Sequence, residues 1–134
     1  MSQDRTRASK RVGVPRVLIV EDEHLIQLML AEMITEIGYE VAGTAANLQE
    51  AKESAASLDV DLAVLDVNLA GEKVFAVADT LRARDVPFCF VTGYGIAGVP
   101  QRYRVNPIIQ KPFQETDLAR VLRTLCQPCN RLGT

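Results

Sequence analysis

Short apolar runs punctuate the chain, and between them apolar residues recur every three or four positions. Continuous runs of this length predict buried strands, and the three-four recurrence predicts helices packed by one face. "RVLIVED", from Arg16, is the first run and closes on acids. From His24 to Ile37 the positions Leu25, Leu28, Met29, Met33 and Ile37 repeat at helical spacing, and Gly38 ends that helix as a cap. "YEVAGTA" predicts a second strand, and Asn47 caps a helix through Ser57. "DLAVLDV" is a third strand, again closed by an acid. Gly71 precedes a helix carrying Val74, Phe75, Ala78 and Leu81 on one face. "PFCFVT" and "PIIQ" are the last two strands, and Thr116–Cys126 forms a closing helix with Leu118, Val121, Leu122 and Leu125 inward.

Five strands alternate with helices, and the strands are uniformly apolar. Strands of that kind have helices over both faces, so the fold class is α/β with a doubly wound, five-stranded parallel sheet. "GIAGVPQRYRV" should supply the fourth helix, yet Gly95, Gly98 and Pro100 oppose one. That helix is expected to be short, irregular or mobile. Residues 1–15 read as a basic tail ending at Pro15, residues 16–126 as the folded domain, and residues 127–134 as a C-terminal tail.

Composition adds bounds. At 134 residues the chain is long enough for one proper core. Its 48% hydrophobic and 24% charged residues suit a globular domain in water. A net charge of −2 supplies no cationic field for nucleic acid. Arg5, Arg7, Lys10, Arg11 and Arg16 make the N-terminus locally basic, which reads as a solvated tail. No run approaches the roughly 18 apolar residues of a membrane span. The three cysteines are odd in number: Cys89 sits in an apolar run, and Cys126 and Cys129 form a lone C-x-x-C without a second ligand pair. A reducing cytoplasm fits this usage.

In open parallel sheets, chemistry gathers beyond the carboxyl ends of the strands. Here those ends carry Glu21 and Asp22, then Asp66, Thr92 and Lys111. Crowded carboxylates repel, and a hard divalent cation such as Mg²⁺ relieves them through oxygen ligands. Such a site prepares Asp66 to attack phosphorus and form an acyl phosphate. Lys111 then pairs with a phosphoryl oxygen, and the Thr92 hydroxyl donates to another. His24 is read as a helix-start residue without chemistry, because the metal site is complete without it.

"VLIVEDE", "LAVLDVNLAG", "FVTGYG" and "IIQKPF", in this order and spacing, resemble the receiver domains of two-component response regulators over about residues 16–126. The resemblance implies a flavodoxin-like fold of the CheY type. Asp66 becomes the phosphoryl acceptor, Asp22 the principal Mg²⁺ carboxylate, Glu21 an assistant often acting through water, and Asn68 a ligand through its backbone carbonyl. Thr92 and Lys111 take the phosphoryl contacts, and the Lys111–Pro112 peptide is cis. The implied donor is a sensor histidine kinase or a histidine phosphotransfer protein. A downstream protein receives the signal, without direct nucleic-acid or membrane contact. The implied protein is not an enzyme beyond self-catalysed phosphotransfer and slow autodephosphorylation. Gln127–Thr134 are too few to form an output domain.

Two positions depart from the family. Many receivers carry a proline where this chain reads Asn68-Leu69-Ala70-Gly71. Receivers also place Tyr or Phe three residues before the lysine as a rotamer switch, and here that residue is Ile108. "FVTGYG" is similar to the signature of a stand-alone subgroup named for Phe-Ala-Thr-Gly-Gly/Tyr, which also lacks that aromatic. In this reading Gly93, Gly95 and Gly98 form a hinge, and phosphorylation orders residues 93–105 instead of flipping an aromatic. Tyr94 is either part of that switch or an exposed turn residue. Two alternatives are a receiver-like binding module that is not phosphorylated and a hydrolase of haloacid dehalogenase type. The second needs its nucleophile on the first strand and an acid where Asn68 stands.

Overall fold

The computed structural model describes the backbone of residues 13–132 and the side chains of residues 13–126. Five parallel strands form one sheet: β1 (Arg16–Val20), β2 (Glu40–Ala45), β3 (Leu62–Asp66), β6 (Phe88–Thr92) and β7 (Ile108–Gln110). Their order is β2-β1-β3-β6-β7. The chain steps from β1 outward to β2, then returns to the other side of β1 at β3. That reversal makes β1 and β3 the switch point, where a crevice opens beyond their carboxyl ends.

Helices α1 (His24–Ile37), α2 (Leu48–Ser57), α3 (Phe75–Ala83) and α4 (Glu115–Leu132) cover the two faces. Val17, Ile19, Leu62, Val64, Cys89 and Val91 pack toward Leu30 and Ile34 of α1 and Leu118 and Leu122 of α4. The alternate residues Leu18, Val20, Ala63, Leu65, Phe88 and Phe90 pack toward α2 and α3. Both faces of the central strands are therefore dry, which explains their unbroken apolar runs.

Local chemistry sets the helix ends. The Asn47 side chain accepts the Glu50 N–H at 2.9 Å and so caps α2. Gly38 closes α1 at φ 115°, a conformation open to glycine without a Cβ penalty.

Four features differ from the sequence reading. The α1 stripe is only partly inward: Leu25, Leu28 and Met29 are exposed, Met33 and Ile37 pack half-buried against the core, and Leu30 and Ile34 are the buried residues. The helix carries two adjacent apolar ladders, and the one that reaches Val17 and Ile19 became the core. Second, Arg16 belongs to the fold rather than a solvated cluster. Its N–H donates to Asp61 at 2.8 Å, and its guanidinium donates to the Asp59 carbonyl at 2.8 Å. Third, α4 continues to Leu132, past the expected end at Cys126. Fourth, a hairpin of β4 (Asn68–Leu69) and β5 (Glu72–Lys73) stands between β3 and α3.

The segment after Thr92 forms two 3-10 turns, Gly95–Gly98 and Gln101–Tyr103, in place of a regular helix. Cys89 is buried and its thiol is pushed up to about 12 by that burial. Cys126 is half-buried on α4. The tail expected over residues 1–15 falls on residues 1–12 outside the described ones, as do the Cys129 side chain and residues 133–134. No helix among the described residues is long and apolar enough to cross a membrane.

Candidate functional site

The carboxyl ends of β1, β3, β6 and β7 converge on an open pocket of about 480 Å³. Asp22, Asp66, Asn68, Thr92, Tyr94 and Lys111 line it together with Glu23 and Gly93. Glu21, fully buried, lies beneath Asp22 and Asp66, and one carboxylate oxygen from each of these three lies within 4.8 Å of the others.

The strands fix these groups through backbone bonds. The Glu21 N–H donates to Ala45 of β2 at 3.0 Å, and the Lys111 N–H donates to Thr92 at 2.9 Å. Asp66 is the last residue of β3, and its carboxylate accepts the Asn68 N–H at 3.2 Å. Lys111 Nζ lies 3.3 Å from both Asp66 Oδ2 and Glu21 Oε1. One ammonium therefore bridges the two most buried acids of the pocket.

Charge is unbalanced here. Burial and the neighbouring Asp66 carboxylate push Glu21 up to about 7, although the Glu23 N–H and Lys111 pull the other way. Burial also raises Asp66, against Lys111 and the hydrogen bonds it accepts. Burial acts to depress Lys111, but Asp66 and Glu21 outweigh it and the net shift is upward. Two carboxyls that resist ionisation beside a half-exposed third favour a hard cation with oxygen ligands. The donor set fits Mg²⁺ in kind: carboxylate oxygens of Glu21, Asp22 and Asp66 close together, beside an open pocket that Asn68 also lines.

The β4–β5 hairpin, which the sequence reading missed, closes on the acids. Its Ala70 N–H donates to Asp22 Oδ2 at 3.0 Å, and its Gly71 N–H donates to Asn68 Oδ1 at 3.0 Å. Ala70 sits at φ 51° and Gly71 at φ 92°. The Asn68-x-x-Gly71 spacing was the available signal, since an Asx side chain followed by glycine favours such a turn.

Thr92 is buried, and its hydroxyl accepts the Tyr94 N–H at 2.9 Å. Tyr94 itself is 70% exposed at the pocket rim. Ile108 is half-buried against the α2–α3 side of the core, next to Phe90 on β6. The Lys111–Pro112 peptide is cis. His24 is the exposed first residue of α1 and does not line the pocket.

This strand order and pocket define a flavodoxin-like α/β domain of the CheY type, with an acid cluster at its switch point. The chain belongs to the response regulator receiver domain family, whose model matches residues 17–123. It is 37% identical over 111 residues to the transcriptional regulatory protein PdtaR of Mycobacterium tuberculosis, covering 79% of this chain and 54% of PdtaR. The chain thus spans about half the length of that curated relative.

Among solved structures, SdrG from Sphingomonas melonis Fr1 is 40% identical with a TM-score of 0.75. That match covers 84% of this chain and 96% of SdrG. The BeF3-activated conformation of SdrG from Pseudomonas melonis Fr1 matches at 37% identity and TM-score 0.73. It covers 86% of this chain and 98% of that one. Two-component signalling is the setting of this family.

Proposed function

We propose that this chain accepts a phosphoryl group on Asp66 in a Mg²⁺-dependent reaction and signals through protein contacts. The observation that carries the proposal is the bridge of Lys111 between Asp66 and the fully buried Glu21, with Asp22 beside them. A carboxylate at the floor of a pocket open to a donor, with a cation already at its oxygen, is suited to attack phosphorus.

Asp22, Asp66, Glu21 and the Asn68 carbonyl would hold the metal. Bound there, Mg²⁺ offsets the negative charge of the incoming phosphoryl group. An Asp66 oxygen forms the new bond to phosphorus as the phosphorus–nitrogen bond of a donor phosphohistidine breaks. The electron pair leaves with the imidazole nitrogen, which takes up a proton. Lys111 stays with the phosphoryl oxygens as a point charge, and the Thr92 hydroxyl donates to another of them. The donor is a sensor histidine kinase or a histidine phosphotransfer protein. Residues 93–105 respond in place of an aromatic rotamer, since Ile108 has no aromatic ring to flip.

Intact mass after incubation with acetyl phosphate and Mg²⁺ tests this reading. The expected product is a single labile phosphoryl adduct that Asp66→Ala abolishes. No adduct on the wild-type chain would instead support a binding module, and steady release of phosphate from many monoesters a hydrolase.

A further inference from the structure

Away from the pocket, an unusual set of contacts surrounds Tyr103. Its side chain is fully buried although it sits on a three-residue 3-10 turn. Phe75 of α3 stacks on the ring with centroids 5.1 Å apart, and Phe90 of β6 meets it edge-on at 5.9 Å. The Arg102 guanidinium lies 4.5 Å from the ring centroid on another side. The hydroxyl donates to the Asp79 carboxylate of α3 and approaches the Phe75 carbonyl at 3.3 Å. Arg102 also pairs with Asp79 at 4.0 Å. Burial, then the bond to Asp79, raises the phenol pKa, so the hydroxyl remains a donor at neutral pH.

The other end of the same segment is tied to Thr92. Besides the Tyr94 N–H bond to the Thr92 hydroxyl, Gly98 packs close enough that a Cβ there would lie 3.4 Å from Thr92 Oγ1. Buried Val99 joins the two turns, and its N–H donates to Ile96 at 3.0 Å. A short, tightly turned segment therefore runs from Thr92 to a clasp on α3.

We propose that Tyr103 and Asp79 are positioning residues for Thr92: their clasp holds the 94–103 segment in the resting arrangement and yields when Asp66 is phosphorylated. The Thr92 hydroxyl accepts from Tyr94 and is still able to donate. Turning toward a phosphoryl group on Asp66 draws Tyr94 and the Gly95–Gly98 turn with it. An anchor at Tyr103 resists that displacement and weakens phosphoryl binding by the same factor that binding weakens the clasp. The face of α3 beside Arg102 is then the surface that changes on phosphorylation. This inference rests on the phosphoacceptor reading.

The test is a titration with beryllium fluoride and Mg²⁺, followed by fluorine NMR, on wild type, Tyr103→Phe and Asp79→Asn. Tyr103→Phe keeps the ring and its stacking and removes only the hydroxyl; Asp79→Asn serves if that variant fails to fold. Each variant should bind about 5- to 10-fold more tightly than wild type. The double variant should gain less than the product of the two singles, because Asp79→Asn weakens the same hydroxyl bond that Tyr103→Phe removes, besides discharging the Arg102 pair. Ile34→Val, in the core on the opposite face of the sheet, should lose stability without changing affinity. A wild type that binds while both clasp variants bind equally or more weakly overturns the clasp. A wild type that does not bind overturns the phosphoacceptor reading and the clasp with it.

Discussion

Glu21→Gln exposes the electrostatic tension at the centre of the pocket. The wild-type carboxyl titrates near 7, against an ordinary value of 4.5, because it is buried beside Asp66. Between those pH values the folded chain holds a proton that the unfolded chain releases. Its stability contribution is fully present below 4.5 and is lost as pH rises through about 7. The whole shift corresponds to about 3 kcal/mol at about 1.4 kcal/mol per unit. Water in the adjoining pocket screens the site, which reduces the expected effect to about 1 to 2 kcal/mol.

Glutamine keeps the shape and neutrality of the protonated acid. The metal-free variant should match wild type near pH 5 and exceed it by about 1 to 2 kcal/mol at pH 8. That difference is equivalent to about 3 to 8 °C in Tm. Urea unfolding in a chelator at several pH values measures it, with unchanged m-values securing the comparison. Taking the difference between variant and wild type removes the titrating groups remote from Glu21 and leaves Glu21 with its neighbours Asp66 and Lys111. A difference that stays flat from pH 5 to 8, or that falls with pH, would refute the reasoning.

Other consequences are equally open to measurement. Lys111→Met removes the cation shared by Asp66 and Glu21 and should cost the metal-free chain about 1 to 3 kcal/mol at pH 8, with Mg²⁺ recovering part of it in the same urea melts. Gly95 sits at φ 68° and a Cβ there would meet Gln110 at 3.2 Å, so Gly95→Ala should cost about 1 to 2 kcal/mol. Gly93→Ala, with nothing within 4 Å of its Cβ position, should stay within about 0.5 kcal/mol in parallel thermal melts. Leu30→Ala should lose about 2 to 5 kcal/mol, whereas Leu25→Ala, at a position 79% exposed, should lose less than about 0.5 kcal/mol; equal losses would restore the stripe that the spacing alone suggested.

Much of this architecture was legible in the order of residues because the relevant physics is local. Unbroken runs such as Leu62–Leu65 have a single comfortable place, between two layers of helices. Asn47 and Gly38 mark helix ends through their own backbone chemistry. The grouping of Asp66, Thr92 and Lys111 around one pocket was legible because these residues close apolar strands, and parallel strands bring those ends together.

The missing features depended on which of several compatible packings the whole chain selects. In α1 both the Leu25–Met29–Met33 ladder and the Ile26–Leu30–Ile34 ladder have helical spacing, and only the sheet beneath decides that Leu30 and Ile34 lie deepest while Met33 packs at the margin. Tyr103 lay unnoticed in a glycine- and proline-rich stretch. Its partners Phe75, Asp79 and Phe90 are remote in sequence, and no local pattern announces them. The Glu21–Lys111 bridge likewise joins residues at opposite ends of the domain.

Borohydride trapping tests the central claim most directly. Borohydride reduces an aspartyl phosphate to homoserine, marking the acylated residue permanently. After acetyl phosphate and Mg²⁺, peptide mass mapping should find homoserine at position 66, and none when Mg²⁺ is withheld. Homoserine at another position, such as 22, or phosphate held stably on a hydroxyl with position 66 unchanged, would contradict the account.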